Sequence, residues 1–312
     1  MPRAPKMRTL IVGAALAALA GCDMPVAAPT APIPPVPIAA PPPETTKSAA
    51  ARAYYAQVQQ ALLSQGLLRT DGGGRDTPFT DRMLAENFIR VALFDEYSRE
   101  SGAFVRQETQ SRLRRWEVPV RFGLRFGASV PPAKQATDRA RIASYVARLS
   151  GLTGHPMRMD EANPNFWVYV VSEDEREALG PTIRAALPNL SPDDVAGITA
   201  MPRSTYCLVY ALSEGNSGAY TRAFAVIRSE HPDLLRLSCV HEEIAQGLGL
   251  ANDSPRARPS IFNDDEEFAL LTDQDELMLS ILYSPLLRPG MGVAEARPTV
   301  ESLARRLTGG GT

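Results

Sequence analysis

The stretch at residues 239–253 constrains the fold of this chain more than any other, because its polar residues have the spacing of a site built on one helix. Glu242 and Gln246 are four residues apart, so on an α-helix both side chains project from the same face. Gly249 can end this helix in a tight turn. The spacing therefore predicts a motif-bearing helix followed by a turn, with Glu242 and Gln246 on one face of the helix.

The same stretch resembles the active-site motif of the metzincin metallopeptidases, His-Glu-x-x-His-x-x-Gly-x-x-His-Asp. The catalytic glutamate, the glycine and the final aspartate of that motif are retained as Glu243, Gly249 and Asp253. The three zinc-ligand histidines are replaced, in order, by Glu242, Gln246 and Asn252. The resemblance implies that Glu243 is the candidate general base and that the replaced positions are the candidate metal ligands.

A second segment extends this resemblance. Ser280-Ile281-Leu282-Tyr283 is similar to the Met-turn that floors the metzincin metal site, with Leu282 in the place of the methionine. Over residues 115–290 the chain resembles a family of bacterial lipoproteins that carry a domain of unknown function and are grouped with zincin-like peptidases. The resemblance implies an α+β, zincin-like domain, in which a mixed, mostly parallel twisted sheet has an antiparallel edge strand and a motif-bearing helix. A small C-terminal half, mostly irregular or helical, would complete it.

Residues 1–21 have the composition of a secretory signal peptide, with a basic start and an apolar run at residues 10–20 that is too short to span a bilayer. The sequence Leu19-Ala20-Gly21-Cys22 matches the lipoprotein signal of bacteria. That match implies cleavage before Cys22 and attachment of membrane lipid to its sulfur. An ordinary signal peptide with an incidental cysteine is the alternative. We expect a lipid-anchored protein of the bacterial cell envelope that faces the periplasm, with the inner and outer membranes both open.

A proline-rich segment follows the lipidated cysteine. Nine prolines between residues 24 and 43 exclude helix and sheet, and a polyproline II tether of this length would reach roughly 60–70 Å. The expected organisation is a signal peptide at 1–21, the lipidated cysteine and tether at 22–46, an N-terminal helical or extended segment packed on the core at 47–114, the zincin-like domain at 115–292, and a tail at 293–312.

Hydrophobic spacing predicts the main secondary structure of the domain. The expected elements are a helix through Tyr54 that stops at Gly66, a strand at Phe88–Phe94 that joins the sheet, an alternating strand from Trp116 to Phe126, a helix over Asp138–Ser150, strands at Phe166–Val171, Tyr206–Leu212 and Thr221–Ile227, and the motif helix starting at Pro232.

The cysteines and the charge limit the chemistry further. Apart from Cys22, the chain has only Cys207 and Cys239, and in an oxidising envelope compartment we expect them to form a disulfide. Two buried thiols are the alternative. The net charge of −2 is no basis for binding nucleic acid.

The side chains at the ligand positions favour metals other than zinc. One carboxylate and two amide oxygens, from Glu242, Gln246 and Asn252, suit calcium, magnesium or manganese. With a single formal charge such a site is expected to be weak unless Glu243 or Asp253 joins it. Without metal, the amides can instead donate to the crowded carboxylates. None of the three histidines falls on a ligand position, and His241 is expected next to the site or at the edge of the core. We therefore expect no cofactor, and no zinc.

Three functions remain open from the sequence. The first is a catalytically silent zincin-like module that binds an unknown envelope peptide or protein. The second is a peptidase-like hydrolase that retains Glu243 as general base with a metal held by oxygen ligands, or with no metal. The third is a structural lipoprotein in which the polar motif only stabilises the fold.

Overall fold

The computed structural model describes residues 43–100 and 103–309, with side chains described in these ranges except at residues 96–108. The helices are α1 (Thr46–Ser64), α2 (Asp81–Ala92), α3 (Pro132–Thr153), α4 (Glu173–Glu177), α5 (Gly180–Ala186), α6 (Pro192–Thr199), α7 (Asp233–Leu248), α8 (Asp273–Leu282) and α9 (Val293–Leu307). The strands are β1 (Phe94–Glu100), β2 (Ala103–Gln110), β3 (Arg115–Trp116), β4 (Val120–Phe126), β5 (Met157–Met159), β6 (Phe166–Val171), β7 (Cys207–Ser213) and β8 (Ala219–Arg228).

A six-stranded mixed sheet forms the centre of the domain. β5, β4, β6 and β8 lie side by side in that order and run parallel. β7 pairs antiparallel with β8, in a register from Cys207↔Ile227 to Ser213↔Tyr220, and β3 pairs parallel with the first residues of β8. β1 and β2 form a separate antiparallel hairpin. The α+β class and the mixed, mostly parallel sheet expected from the sequence are therefore confirmed, as is its antiparallel strand.

Helices cover both faces of this sheet, because its central strands are apolar on both sides. Phe166, Val168 and Val170 of β6 point into the larger core, together with residues of α2, α3, α7, α8 and α9. The intervening Trp167 and Tyr169 point into a smaller core formed with α5 and α6. The motif helix α7 therefore lies against the sheet, inside the larger core.

One expectation about local structure is wrong at Phe88–Phe94. Residues 88–92 belong to α2, and only at Phe94 does β1 begin, in the hairpin rather than in the central sheet. The Thr80 side chain caps α2 by accepting a hydrogen bond from the Met83 backbone N–H, and helical spacing buries Leu84 and Phe88 on one side. A short apolar run does not by itself distinguish a buried helix from a strand.

Two further expectations need correction. The single strand expected from Trp116 to Phe126 is divided into β3 and β4, because Pro119 has no N–H for a ladder and Val118 is exposed. The segment compared with a Met-turn loop is helical: Leu282 is the last residue of α8, and Tyr283 is its C-cap. The remaining predicted helices and strands are present, with ends displaced by a few residues.

The expected signal peptide, the lipidated Cys22 and nearly all of the tether fall in residues 1–42, outside the described residues. Among the helices that the structure describes, none is long and apolar enough to cross a membrane.

Candidate functional site

The motif helix is tied to the neighbouring strand by a disulfide. Cys207, the first residue of β7, is bonded to Cys239 of α7, with their Cα atoms 5.9 Å apart. Both residues belong to the larger core. The disulfide predicted from the two cysteines is therefore confirmed, and it holds the start of β7 against the middle of α7.

Two acidic side chains lie one helical turn beyond this bond. Glu242 and Glu243 follow Cys239 by three and four residues, so they share its side of α7. One carboxylate oxygen from each glutamate and Cys207 Sγ all lie within 4.8 Å of one another. The candidate base Glu243 is only 3% exposed, whereas Glu242 is half-buried. The fold thus brings the two motif carboxylates together, beside a sulfur atom that sequence reasoning did not include in the site.

The two amides at the ligand positions have separate contacts. Gln246 Nε2 donates to Asp253 Oδ1 at 2.9 Å, which joins the end of the motif helix to the last residue of the motif. Asn252 is fully buried and bonds instead to the end of α2. Its backbone N–H donates to the Val91 carbonyl at 3.0 Å and its Nδ2 to the Arg90 carbonyl at 2.8 Å. The bonds of Asn252 satisfy carbonyls of the last turn of α2, which have no partners within that helix.

The backbone conformation and its close neighbours require glycine at position 249. The φ of Gly249 is +129°, and a Cβ there would lie 2.2 Å from the Arg114 carbonyl oxygen and 3.1 Å from Leu282 Cδ2. Only glycine permits this conformation and this close approach. The turn after α7 therefore packs against the end of α8, where Tyr283 donates its hydroxyl to the Leu248 carbonyl at 3.0 Å.

Side chains of β3 bond to the ends of α7 and α8. Arg115 Nη1 donates to the carbonyls of Leu282 and Ser284, at 2.7 and 2.9 Å, and Trp116 Nε1 donates to the Gly247 carbonyl at 2.9 Å. Cationic and N–H donors at the ends of α7 and α8 satisfy carbonyls that have no further helical partner. Leu282 and Tyr283 therefore lie against the turn that ends the motif helix.

His241 lies on the other side of α7, in the core. Its ring stacks on Tyr145 with centroids 4.0 Å apart, and its Nδ1 accepts a hydrogen bond from the Leu271 backbone N–H at 3.4 Å. Burial, with a smaller contribution from Arg148, lowers the pKa of His241 to about 3. The imidazole is therefore neutral, and it joins α3, α7 and the segment before α8.

A buried ionic cluster, which sequence reasoning missed, follows the ends of β6 and β8. Glu173 accepts from Arg228 at 2.7 Å and from Arg176 at 3.0 Å. Glu230, which is fully buried, accepts at 2.7 Å from the Glu173 backbone N–H and at 2.7 Å from Ser48 Oγ. The signal in the sequence was the pair of charged residues, Arg228 and Glu230, at the end of a buried strand.

Helix α1 covers this cluster. Tyr55 packs edge-on against the ring of His231 at 4.4 Å, and Gln59 Oε1 accepts from the Leu235 backbone N–H at 3.0 Å, which caps the first turn of α7. Burial and the nearby arginines lower the pKa of His231 far below its usual range. His231 Nδ1 is also 3.7 Å from Cys239 Sγ. A chain of contacts therefore connects α1, the ionic cluster and the disulfide.

These observations define an α+β domain in which a motif helix is linked by a disulfide to the antiparallel strand of a mixed sheet and carries an acidic pair beside that bond. The chain belongs to the family described as "Protein of unknown function (DUF2927)", whose model matches residues 81–302. α1 precedes the matched region. No curated protein matches the chain, and no solved structure does.

Proposed function

We propose that this chain is a membrane-anchored cell-envelope lipoprotein whose degenerate zincin-like domain binds an extended segment of a peptide or protein without cleaving it. The zincin-like part of this proposal is supported by the order of the main elements along the chain: β4, α3, β6, the antiparallel β7, β8 and the motif helix α7. This order of strand, helix, three strands and motif helix is compatible with a zincin-like domain, although the short β5 and the helices α4, α5 and α6 add to it.

The orientation of the two amides carries the non-catalytic part of the proposal. The acceptor of Gln246 is a carboxylate and the acceptor of Asn252 is a carbonyl, so in each case the atom in contact is the donor NH₂ group. A metal ligand must present its oxygen. These two side chains use their nitrogen atoms to hold the motif turn and the end of α2, so their positions have a structural role that needs no metal.

The edge of β7 is the surface to which such a segment would bind. Cys207, Val209 and Ala211 pack in the larger core, and the alternate Leu208, Tyr210 and Leu212 pack in the smaller one. One edge of the strand pairs with β8, and within the described residues no strand pairs with its other edge. An edge strand presents backbone donors and acceptors to which a partner strand can add. The disulfide holds the start of this edge in place.

Binding and cleavage can be tested together. The full chain in detergent micelles is screened with a library of extended peptides, and bound peptides are recovered and analysed by mass spectrometry. We expect intact peptides, with binding unchanged in the Glu243→Gln variant. We also expect N-methylation at alternate residues of a bound peptide to weaken binding at least tenfold, since each lost backbone hydrogen bond costs about 0.5–1.5 kcal/mol.

Cleaved peptides that become intact in the Glu243→Gln variant would establish the alternative, a metallohydrolase with Glu243 as general base and a site of oxygen ligands. Binding that tolerates N-methylation at every position would exclude the edge of β7.

A further inference from the structure

We infer that the chain contains a redox-gated site for a divalent metal, formed by Cys207, Glu242 and Glu243 when the Cys207–Cys239 disulfide is reduced. The inference goes beyond the proposed function: it does not depend on peptide binding, and it uses neither Gln246 nor Asn252.

The geometry for three ligands exists already. Cys207 Sγ and one oxygen of each glutamate lie within 4.8 Å of one another. In a tetrahedral zinc site, bond lengths of about 2.3 Å to sulfur and about 2.0 Å to oxygen place neighbouring donor atoms about 3.5 Å apart. The three donors therefore need to close by about 1 Å, which side-chain rotation can supply. The disulfide blocks the site, because the bonded sulfur of Cys207 has no charge to offer a metal.

The two sulfurs have different surroundings, which determines the fate of each after reduction. Cys207 Sγ faces the two carboxylates, whereas Cys239 Sγ faces His231 Nδ1 at 3.7 Å. His231 is fully buried and neutral, so its Nδ1 can accept a hydrogen bond from the Cys239 thiol. After reduction, the Cys239 thiol therefore stays hydrogen-bonded to His231 in the core, and the Cys207 sulfur lies beside Glu242 and Glu243.

Electrostatics then favours a cation at Cys207. Two carboxylate groups lie beside the sulfur of Cys207, so a divalent cation there would have three ligand atoms close together. Once the disulfide is reduced, the sulfur binds the metal as the thiolate. One thiolate and two carboxylates form a mixed donor set that suits zinc or cobalt, whereas calcium and magnesium require oxygen ligands alone.

The reaction balances with a dithiol as the reductant. The dithiol transfers two electrons and two protons to the protein disulfide, which becomes two thiols, and the dithiol is oxidised to its own disulfide. The metal ion then binds Cys207 and the two carboxylates and releases the Cys207 proton to solvent. Cys239 remains a protonated thiol beside His231.

Two serine variants isolate the sulfur that matters. Cys239→Ser and Cys207→Ser both abolish the disulfide, but only Cys239→Ser keeps the sulfur of Cys207, which lies within 4.8 Å of both carboxylates. The full chain of each variant is titrated with Zn²⁺ and, separately, with Co²⁺, and wild type is titrated with and without prior reduction by a dithiol. We expect the Cys239→Ser variant and reduced wild type to bind Zn²⁺ at least 100-fold more tightly than Cys207→Ser and oxidised wild type. With Co²⁺, a thiolate-to-metal charge-transfer band should appear only in the first two.

Thermal unfolding with and without Zn²⁺ controls for folding, because a ligand that binds only the native state raises Tm. If neither variant folds without metal, Zn²⁺-dependent folding of the Cys239→Ser variant alone supports the site. Equal Zn²⁺ affinity of the two variants would overturn the inference, as would equal affinity of oxidised and reduced wild type, or failure of Zn²⁺ to bind or fold the Cys239→Ser variant.

Discussion

The substitution Gly249→Ala tests whether the motif glycine is required by the backbone. The φ of +129° places this residue where a side chain is strained, at a cost of about 1–3 kcal/mol. The added Cβ would also lie 2.2 Å from the Arg114 carbonyl oxygen, which is backbone and cannot rotate away, so β3 or the turn must shift. Overpacking of this kind costs about 1–3 kcal/mol more. We therefore expect Gly249→Ala to lower the free energy of unfolding by about 2–6 kcal/mol.

Gly151→Ala is the matched control for this substitution. Gly151 lies inside α3, and a Cβ there would meet no heavy atom within 4 Å. Alanine is favoured over glycine in a helix, so we expect this variant to gain about 0.5–1 kcal/mol. Urea unfolding followed by tryptophan fluorescence measures both, since Trp116 bonds directly to the Gly247 carbonyl. A loss below 1 kcal/mol for Gly249→Ala would refute the reasoning, because neither the strain nor the clash would then be present.

Three further outcomes follow from the buried polar residues. Tyr55→Ala should release α1 and cost about 3 kcal/mol or more, whereas the exposed neighbour Tyr54→Ala should cost under 1 kcal/mol; hydrogen exchange over residues 46–64 distinguishes them. Burial lowers the pKa of His231 and of His241 below the unfolded value of 6.5. The free energy of unfolding should therefore be unaffected by these groups above pH 6.5 and should fall below that pH, by about 1.4 kcal/mol per pH unit for each group. Urea unfolding at pH 7 and pH 5 measures this loss, and His241→Asn, which cannot titrate, should remove its share; an unchanged slope would contradict the assignment. Arg228→Met should lower the free energy of unfolding by about 3–5 kcal/mol, because Glu173 stays buried without this partner. A fall in Tm too small for that loss would argue against the ion pair.

The sequence was sufficient wherever local pattern and burial agree. Phe166–Val171 is apolar at every position, and it is the central strand β6 with the predicted bounds. The spacing of Cys239, Glu242 and Glu243 on one helix was also readable, since helical geometry alone places residues three and four apart on one side. The disulfide was predicted because Cys207 and Cys239 are the two cysteines besides Cys22, and it is present.

The local pattern did not reveal long-range contacts. Phe88 has the same apolar neighbours in a strand as in a helix, and its place in α2 depends on a core built with α9, more than 200 residues later. Asn252 was read from its spacing to Gln246, yet its bonds are with the end of α2. No periodicity within one segment encodes such a partner, because the partner belongs to another element.

The sequence alone thus determined the class of the fold, the motif helix and the turn that ends it, because hydrophobic period and glycine placement are properties of a few neighbouring residues. Tertiary structure alone decided what the motif side chains contact. Glu242 and Glu243 lie beside the sulfur of Cys207 in β7. Gln246 bonds to Asp253, and Asn252 bonds to the end of α2. The Arg114 carbonyl packs closely against Gly249. These contacts depend on how distant strands and helices pack, and in this chain that packing determines which atoms the motif side chains bond to and which they leave near one another.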